Sequence, residues 1–314
     1  TEAYYRKLPV LAITTTHGAD KVGQHLAQVI DHSTLPNDIA MYHAYIPSCH
    51  SSKDETLTAF KVNEALLELS HRGGGPVYLN VESVASRNYL VKELPAVRKL
   101  ERYTYSDKLP ELPSGKIGIF VGSHKKWSES EILAIERFCE VNNAVVFCDH
   151  TSGYHGKYHV TYSLVASQDL YQSDLCKLRL LIHIGEVSGD YFSAGIGGSA
   201  HEVWRVSEDG KLRDPWNKLH CVFEMGEQAF FNAYSENQKA VSIHIIDQYK
   251  AEYNQFINKF PELPFTKVWI ASQMIPKLPV NSYIHFSVLG SLRAGNFFEL
   301  PDNVRSNCNV GGFG

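Results

Sequence analysis

The stretch Lys116–Gly122, K-I-G-I-F-V-G, decides how this chain is expected to fold. It is an unbroken apolar run of strand length that ends in glycine, which is typical of a parallel strand covered on both faces. Ser128-x-x-Glu131 follows closely and has the spacing of a helix capping box. An apolar stripe marks the helix behind it, formed by Ile132, Ile135, Phe138 and Cys139. A strand followed by a capped helix predicts an α/β unit.

Further strands follow this unit toward the C-terminus. Their apolar runs are Ala144–Cys148, Leu178–Ile184 and Glu202–Val206. Strands that alternate with helical segments in this way predict a doubly wound sheet. We expect residues 113–232 to form one complete central α/β domain.

Toward the N-terminus, Leu8–Thr14 and Pro76–Val81 are again apolar runs of strand length, and both are expected to be covered on both faces. The segment Asp54–His71 between them has apolar residues at helical spacing. Strand, helix and strand predict part of a second α/β domain in residues 1–84. Residues 85–112 are polar and contain prolines, and they are expected to form a surface linker.

Toward the C-terminus, residues 233–314 are expected to open a third domain. A long helix is predicted over Glu236–Phe260 and a shorter one near Phe265–Ile275. The predicted strand Tyr283–Leu289 then ends in Gly290-Ser291. The last nine residues, S-N-C-N-V-G-G-F-G, form a strand-like stretch that breaks into a glycine turn, where the backbone can approach an anionic ligand closely.

Composition narrows the class of protein. The 314 residues suggest two or three domains, and a net charge of −4 without any block of Lys and Arg argues against a nucleic-acid partner. No apolar run approaches the ~20 residues that a membrane helix needs. The six cysteines include no C-x-x-C pair, as expected for reduced structural thiols in the cytoplasm. Since the chain has no initiator Met and stops within a motif, we expect it to be an internal part of a longer protein.

These landmarks, taken in order, resemble the thiamine-diphosphate-dependent 2-oxoacid enzymes, and most closely the SEPHCHC synthase group of menaquinone biosynthesis. The segments that carry the resemblance are A-Y-Y-R-K-L-P-V-L-A-I-T at residues 3–14, G-G-P-V-Y-L-N-V at 74–81, L-L-I-H-I-G-E at 180–186, E-V-W-R-V-S-E-D-G-K-L-R-D-P at 202–215, L-G-S-L-R at 289–293 and the terminal glycine turn. They cover nearly the whole chain in the same order.

The resemblance implies three-layer, doubly wound parallel sheets, with a complete central domain flanked by two partial thiamine-diphosphate-binding domains. It also implies a cytoplasmic homodimer or homotetramer whose active site lies at the subunit interface. The full-length enzyme would use thiamine diphosphate and Mg²⁺ to decarboxylate a small-molecule 2-oxoacid and to pass the acyl carbanion to an acceptor. The family's catalytic glutamate and Mg²⁺ ligands match no residue here, so residues 1–314 alone are expected to be inactive.

Several residues match functional positions of the family. Gln24 matches a glutamine that faces the cofactor-bound substrate, and a solvated surface amide is the alternative. Gly290 and Ser291 match a phosphate-contacting loop, for which a plain turn is the alternative. Gly311 and Gly312 match the glycine turn beside the cofactor. His17 is a candidate acid, base or substrate contact, although surface histidines are common.

Three departures from the family pattern change the expected substrate. Val310 stands where SEPHCHC synthases have an arginine, and His17 stands at a second arginine position. Arg293 lies two positions before a third, and it is the candidate substrate ligand. Because valine cannot supply the guanidinium fork that binds a carboxylate, we expect a paralogue that acts on another 2-oxoacid, resembling SEPHCHC or acetolactate synthases.

Two alternatives remain at this level. Asp149, His150, His155 and His159 lie in one loop and could bind zinc, but their spacing matches no standard ligand pattern, and a hydrogen-bonded loop without metal is the simpler interpretation. The chain could also be a non-catalytic ligand-binding or regulatory α/β module derived from such an enzyme.

Overall fold

The computed structural model of the chain describes residues 1–84, 87, 90–242 and 244–311. The chain divides into two compact units, Thr1–Glu101 and Arg102–Gly314. Both units contain parallel sheets with helices between the strands, so the predicted α/β class is confirmed. Within the described residues, every helix is too short or too polar to cross a membrane.

The first unit is built on a three-stranded parallel sheet. Its elements are α1 (Glu2–Tyr5), β1 (Leu11–Thr16), β2 (Tyr42–Ile46), α2 (Ser52–Glu68) and β3 (Val77–Glu82). β3 lies in the middle, where Val77 aligns with Leu11 on one side and with Tyr42 on the other. All three strands therefore have their carboxyl ends at the same edge of the sheet.

The strand β1 is one of the two edge strands of this sheet and is largely exposed. α2 packs on β2 and β3, and the small core consists of Ala44, Ile46, Ala65, Val77 and Leu79. In β1 only Thr16 is buried, while Ile13 is 59% exposed. The expectation that this apolar run is covered on both faces was therefore wrong for the described part of the chain, because α2 packs on β2 and β3 and β1 stays largely exposed.

The second unit contains a seven-stranded sheet in the order β4-β10-β9-β8-β5-β6-β7. Its strands are β4 (Glu101–Thr104), β5 (Ile117–Val121), β6 (Ala144–Cys148), β7 (His159–Thr161), β8 (Leu180–Ile184), β9 (Glu202–Val206) and β10 (Leu219–Glu224). Its helices are α3 (Glu129–Asn142), α4 (Ser163–Ala166), α5 (Tyr191–Ala194), α6 (Ile196–Ser199) and α7 (Glu227–Ala233). Every pair from β10 to β7 runs parallel.

The winding direction of this sheet reverses between β5 and β8. After β5 the chain adds β6 and β7 on one side, and it then returns to add β8, β9 and β10 on the other. β5, β6 and β8 are buried along their whole length, as their apolar runs predicted. The predicted capping box starts α3, where Glu131 N donates to Ser128 Oγ and Ser128 N donates to Glu131 Oε2.

The C-terminal part of the second unit carries a separate two-stranded sheet. Its elements are α8 (Ile246–Ile257), α9 (Lys267–Met274), β11 (Tyr283–Phe286), α10 (Gly290–Gly295) and β12 (Arg305–Cys308). β11 and β12 are parallel, with Phe286 opposite Cys308. Tyr253 Oη of α8 donates a hydrogen bond of 3.0 Å to Phe297 O. This bond joins α8 to the segment that follows α10.

The predicted linker contains a strand. β4 lies beside β10 at the edge of the seven-stranded sheet, and Tyr103 stacks on Phe223 with ring centroids 5.4 Å apart. Its polar sequence E-R-Y-T gave no apolar run to detect, because an edge strand that is only half-buried does not require one. The proposed domain boundaries at 84, 112 and 232 stay predictions.

The predicted helix over Glu236–Phe260 is shorter than expected. Asn237 has a φ of +58°, which interrupts any α-helix at that residue. Val241 N donates to Glu140 O at 3.1 Å, and Ile245 N donates to Asn143 Oδ1 at 2.8 Å. The backbone there bonds to the end of α3 instead of to itself, so α8 begins only at Ile246.

Candidate functional site

The carboxyl ends of β11 and β12 bring together the loops that the sequence singled out in the C-terminal part. Because the two strands are parallel and paired in register, the chain leaves both at the same edge. Val288 N donates to Asn309 Oδ1 at 3.1 Å, which ties the two loops directly. Gly290, Ser291 and Gly311 follow these strand ends. Ligands of parallel α/β sheets bind at this kind of edge.

The loop after β11 contains a strained residue. Leu289 has a φ of +74° and a ψ of −114°, a conformation that side-chain-bearing residues rarely adopt and that tends to persist at functional sites. The next residue is Gly290, where a Cβ would lie 2.6 Å from Nζ of Lys267. The absence of a side chain at Gly290 therefore lets the ammonium group of Lys267 approach the backbone of the loop.

Ser291 and Arg293 lie on the first turns of α10. Ser291 is exposed, and its hydroxyl donates to Ser287 O at 2.8 Å, which leaves the oxygen able to accept. The guanidinium of Arg293 lies 4.3 Å from the ring centre of Tyr191, a cation–π contact. Its Nε is buried and has no hydrogen-bond acceptor among the described residues.

Gly311 follows β12 in open space, since a Cβ added there would meet no atom of the described chain within 4 Å. Gly312 lies outside the described residues. Room beside a backbone that ends a parallel strand is what close approach of a phosphate requires. In this respect the phosphate end of a cofactor would find both room and hydrogen-bond donors beside Gly290, Ser291, Lys267 and Gly311.

A buried polar network holds α10 against the central sheet. Asn296 is fully buried; its Oδ1 accepts from His150 N at 3.0 Å, and its Nδ2 donates to Asp190 Oδ2 at 3.1 Å. His150 Nε2 lies 3.2 Å from Gly295 O and 3.0 Å from Phe298 O. Because each buried group has a partner, the network fixes the position of the loops at the end of β11.

The histidine-rich loop after β6 belongs to this network. Burial lowers the pKa of His150 to about 4, so its ring is neutral at pH 7 and donates from Nε2. Asp149 accepts hydrogen bonds from Ser188 and from Ser193, and burial raises its pKa. Across the described part of the chain, no three His, Cys, Asp or Glu side chains cluster closely enough to hold a metal ion.

The two candidate residues of the first unit, His17 and Gln24, both follow the carboxyl end of β1 and are exposed. Two other side chains, Tyr45 and Glu82, are joined by a hydrogen bond at the ends of the neighbouring strands β2 and β3. Tyr45 Oη donates a short hydrogen bond to Glu82, which lowers the pKa of this carboxyl. Burial and the same bond raise the pKa of Tyr45 to about 12. The sequence did not single out this pair, because it requires knowing that β2 and β3 are adjacent.

A cavity of about 640 Å³ opens at the carboxyl ends of β5, β8, β9 and β10. We call it the central cleft; its lining includes Ser123, His124, Glu186, Arg205, Asp209 and Glu227. It lies beside the point where the winding of the sheet reverses, which is the usual ligand position in this architecture. Sequence reasoning missed it, since its residues come from four separate strand ends.

The fold is that of an α/β protein built on parallel sheets, with its candidate residues in loops at the carboxyl ends of the strands. Comparison with known proteins shows which named proteins the chain is similar to in sequence. The chain is 22% identical over 335 residues to a protein of Phocaeicola vulgatus, 24% over 332 residues to one of Bacteroides fragilis, and 22% over 333 residues to one of Bacteroides thetaiotaomicron. All three are named 2-succinyl-5-enolpyruvyl-6-hydroxy-3-cyclohexene-1-carboxylate (SEPHCHC) synthase.

These similarities cover 99% of the chain, so the predicted resemblance to the SEPHCHC synthase group is confirmed along its whole length. The chain spans 58% of the length of these relatives. No protein-family model matches it.

Proposed function

We propose that the chain is part of a thiamine-diphosphate-dependent enzyme that decarboxylates a 2-oxoacid and passes the acyl carbanion to an acceptor. The observation that carries the proposal is the pair of glycine-containing loops at the shared carboxyl edge of β11 and β12, in a chain similar throughout to SEPHCHC synthases. Because the chain spans 58% of the relatives' length, the proposal concerns the full-length protein.

Each part of the β11–β12 edge has a role in this proposal. The backbone of Gly290 and Gly311 allows a diphosphate close approach, and Gly312 is proposed as a further cofactor-binding residue. The hydroxyl of Ser291 and the ammonium of Lys267 would bind phosphate oxygens. Thiamine diphosphate, when bound, supplies the carbanion chemistry. The protein contributes binding, orientation and exclusion of water.

The substrate is proposed to differ from that of SEPHCHC synthases. Val310 and His17 stand where that group has arginines, so two donors for substrate carboxylates are replaced. Arg293 remains beside the edge, with Nε uncommitted among the described residues. We propose that it binds the carboxylate of a 2-oxoacid. Gln24 and His17 are proposed separately as residues that contact a substrate.

The proposed assembly follows from the same resemblance. The active site of the full-length protein would lie at the interface of a homodimer or homotetramer, Mg²⁺ would accompany the diphosphate, and the enzyme would work in the cytoplasm. An oxygen-rich site together with phosphate oxygens is what Mg²⁺ requires.

The test is an assay of the full-length gene product with thiamine diphosphate and Mg²⁺ against a panel of 2-oxoacids, with CO₂ release as the readout. We expect release from at least one 2-oxoacid, and a loss of about tenfold in apparent cofactor affinity for Ser291→Ala. Ser130→Ala, on the exposed start of α3, is the matched control and is expected to change neither. Absence of CO₂ release with every acid, under conditions where the protein is folded, would contradict the proposal.

The alternative is a non-catalytic ligand-binding module, and the central cleft favours it, because it is a ligand-sized cavity that the decarboxylation proposal does not use. A full-length protein that binds ligands in the cleft but does not bind thiamine diphosphate would support this alternative.

A further inference from the structure

The central cleft has an incompletely bonded arginine as part of its lining. Arg205 comes from β9, and its side chain is 1% exposed. Nη2 donates to Glu186 Oε1 at 3.1 Å. Nε and Nη1 are buried and have no acceptor among the described residues. A guanidinium offers five N–H donors and remains charged, so the unused donors of a buried one can receive a hydrogen-bond acceptor.

The groups closest to Arg205 leave its Nε and Nη1 without a hydrogen-bond acceptor among the described residues. His183 aligns with Arg205 on the neighbouring strand, and burial and the arginine charge hold the pKa of His183 well below its usual range. The imidazole is therefore neutral. Glu186 is 57% exposed and is shared with Arg213, whose Nε lies 3.8 Å from Glu186 Oε2. Glu186 therefore lies near both guanidinium groups, while Arg213 also pairs with Asp209.

Of the other acidic groups around the cleft, three have side-chain partners, and Glu208 stands beside them in the lining. Glu227 Oε2 lies 3.0 Å from His124 Nε2, and Glu131 Oε1 lies 3.3 Å from Lys125 Nζ. Asp209 accepts from Arg213 at 2.6 Å. These carboxylates are not available to Arg205, yet their number makes the rim unfavourable for a polyphosphate. A ligand with a single small anionic group fits both features.

We propose that the central cleft binds a small molecule through one anionic group, a carboxylate or a phosphate, held by Nε and Nη1 of Arg205. The volume of about 640 Å³ is in the range of small-molecule sites, so the rest of such a ligand has room beside Tyr105 and Met225. This site is independent of the β11–β12 edge, and its failure or success does not depend on thiamine diphosphate.

The test follows the Nε–Hε signal of Arg205 by NMR of the ¹⁵N-labelled chain. Acetate, inorganic phosphate and ADP are the probes, each titrated at constant ionic strength against chloride. We expect saturable shifts with acetate, phosphate or both, which distinguishes the two sources of the anionic group, and weaker binding of ADP. Arg205→Met is expected to weaken binding, measured on neighbouring backbone amides, by at least about tenfold.

Two further variants complete the experiment. Arg179→Met removes an arginine at the opposite, amino end of β8, where it pairs with Glu202 at 3.0 Å, and it should leave binding unchanged. Glu186→Gln removes the competing carboxylate and should strengthen binding by about threefold or more, and it serves as the test if Arg205→Met does not fold. Shifts no larger than with chloride, binding that Glu186→Gln leaves unchanged, or tighter binding of ADP than of the small anions would overturn the proposal.

Discussion

Among single residues, replacing Lys267 is the most selective test of the proposal that the β11–β12 edge binds a diphosphate. Its ammonium approaches Gly290 because glycine has no Cβ, and the side chain is otherwise exposed. We expect Lys267→Met to weaken thiamine diphosphate binding to the full-length protein by roughly tenfold, because a charge-assisted hydrogen bond to phosphate is lost. Lys259→Met, in the exposed turn after α8, is the matched control. Equal affinities for the two variants, measured by calorimetric titration, would argue against a phosphate contact.

The buried His150 leads to a prediction of how the free energy of unfolding depends on pH. Its pKa is lowered to about 4 by burial, whereas in the unfolded chain it is about 6.5. Between these values the unfolded chain binds a proton that the folded chain does not, so the free energy of unfolding falls as pH drops from 6.5 to 4. The contribution of this residue over that window is about 3 kcal/mol.

Urea unfolding of the wild type and of His150→Gln at a series of pH values measures this contribution. Glutamine can donate a hydrogen bond but does not titrate, so the variant should lose less stability than the wild type on acidification. Parallel pH dependences would show that His150 is not the group responsible.

At the scale of elements, alanine substitutions at two glycines distinguish the effect of overpacking from the effect of reduced backbone freedom on stability. A Cβ at Gly118 in β5 would lie 2.7 Å from Phe147 and 2.8 Å from Leu178, whereas one at Gly198 in α6 would meet no atom within 4 Å. We expect Gly118→Ala to lower the free energy of unfolding by about 1–3 kcal/mol through overpacking. Gly198→Ala should be neutral or stabilising by up to about 1 kcal/mol. Denaturant unfolding checks both, and similar values for the two variants would contradict the close packing around β5.

The elements that sequence predicted best are those with a local signal. β5, β6 and β8 have unbroken apolar runs, and Ser128 with Glu131 marks the start of α3. β2 and β4 were missed because their sequences Y-H-A-Y-I and E-R-Y-T mix polar and apolar residues without a buried run. The length of α8 was overestimated because the helical spacing of apolar residues was extended across Asn237, which adopts the left-handed conformation that Asn tolerates better than most residues.

At the scale of the whole molecule, the candidate residues divide between the two units. Gly290, Ser291 and Gly311 could be predicted to share an edge, since each follows a strand of one parallel pair. Arg205 could not be found in this way, because its unused donors depend on which side chains of β8 and β10 come near it. A single sequence indicates strands and turns, but the partners of a buried charge are set by strand order.

The Gly311→Val substitution is the sharpest test of whether the β11–β12 edge binds the diphosphate of the cofactor. Valine at Gly311 would occupy open space in the described chain, so the free energy of unfolding should stay within about 0.5 kcal/mol of the wild type. Calorimetric titration of the full-length protein with thiamine diphosphate and Mg²⁺ is the measurement. We predict saturable binding for the wild type and a loss of at least about tenfold for Gly311→Val, with Gly198→Ala unchanged. Equal affinity of Gly311→Val and wild type, or no binding by a folded wild type, would contradict the account.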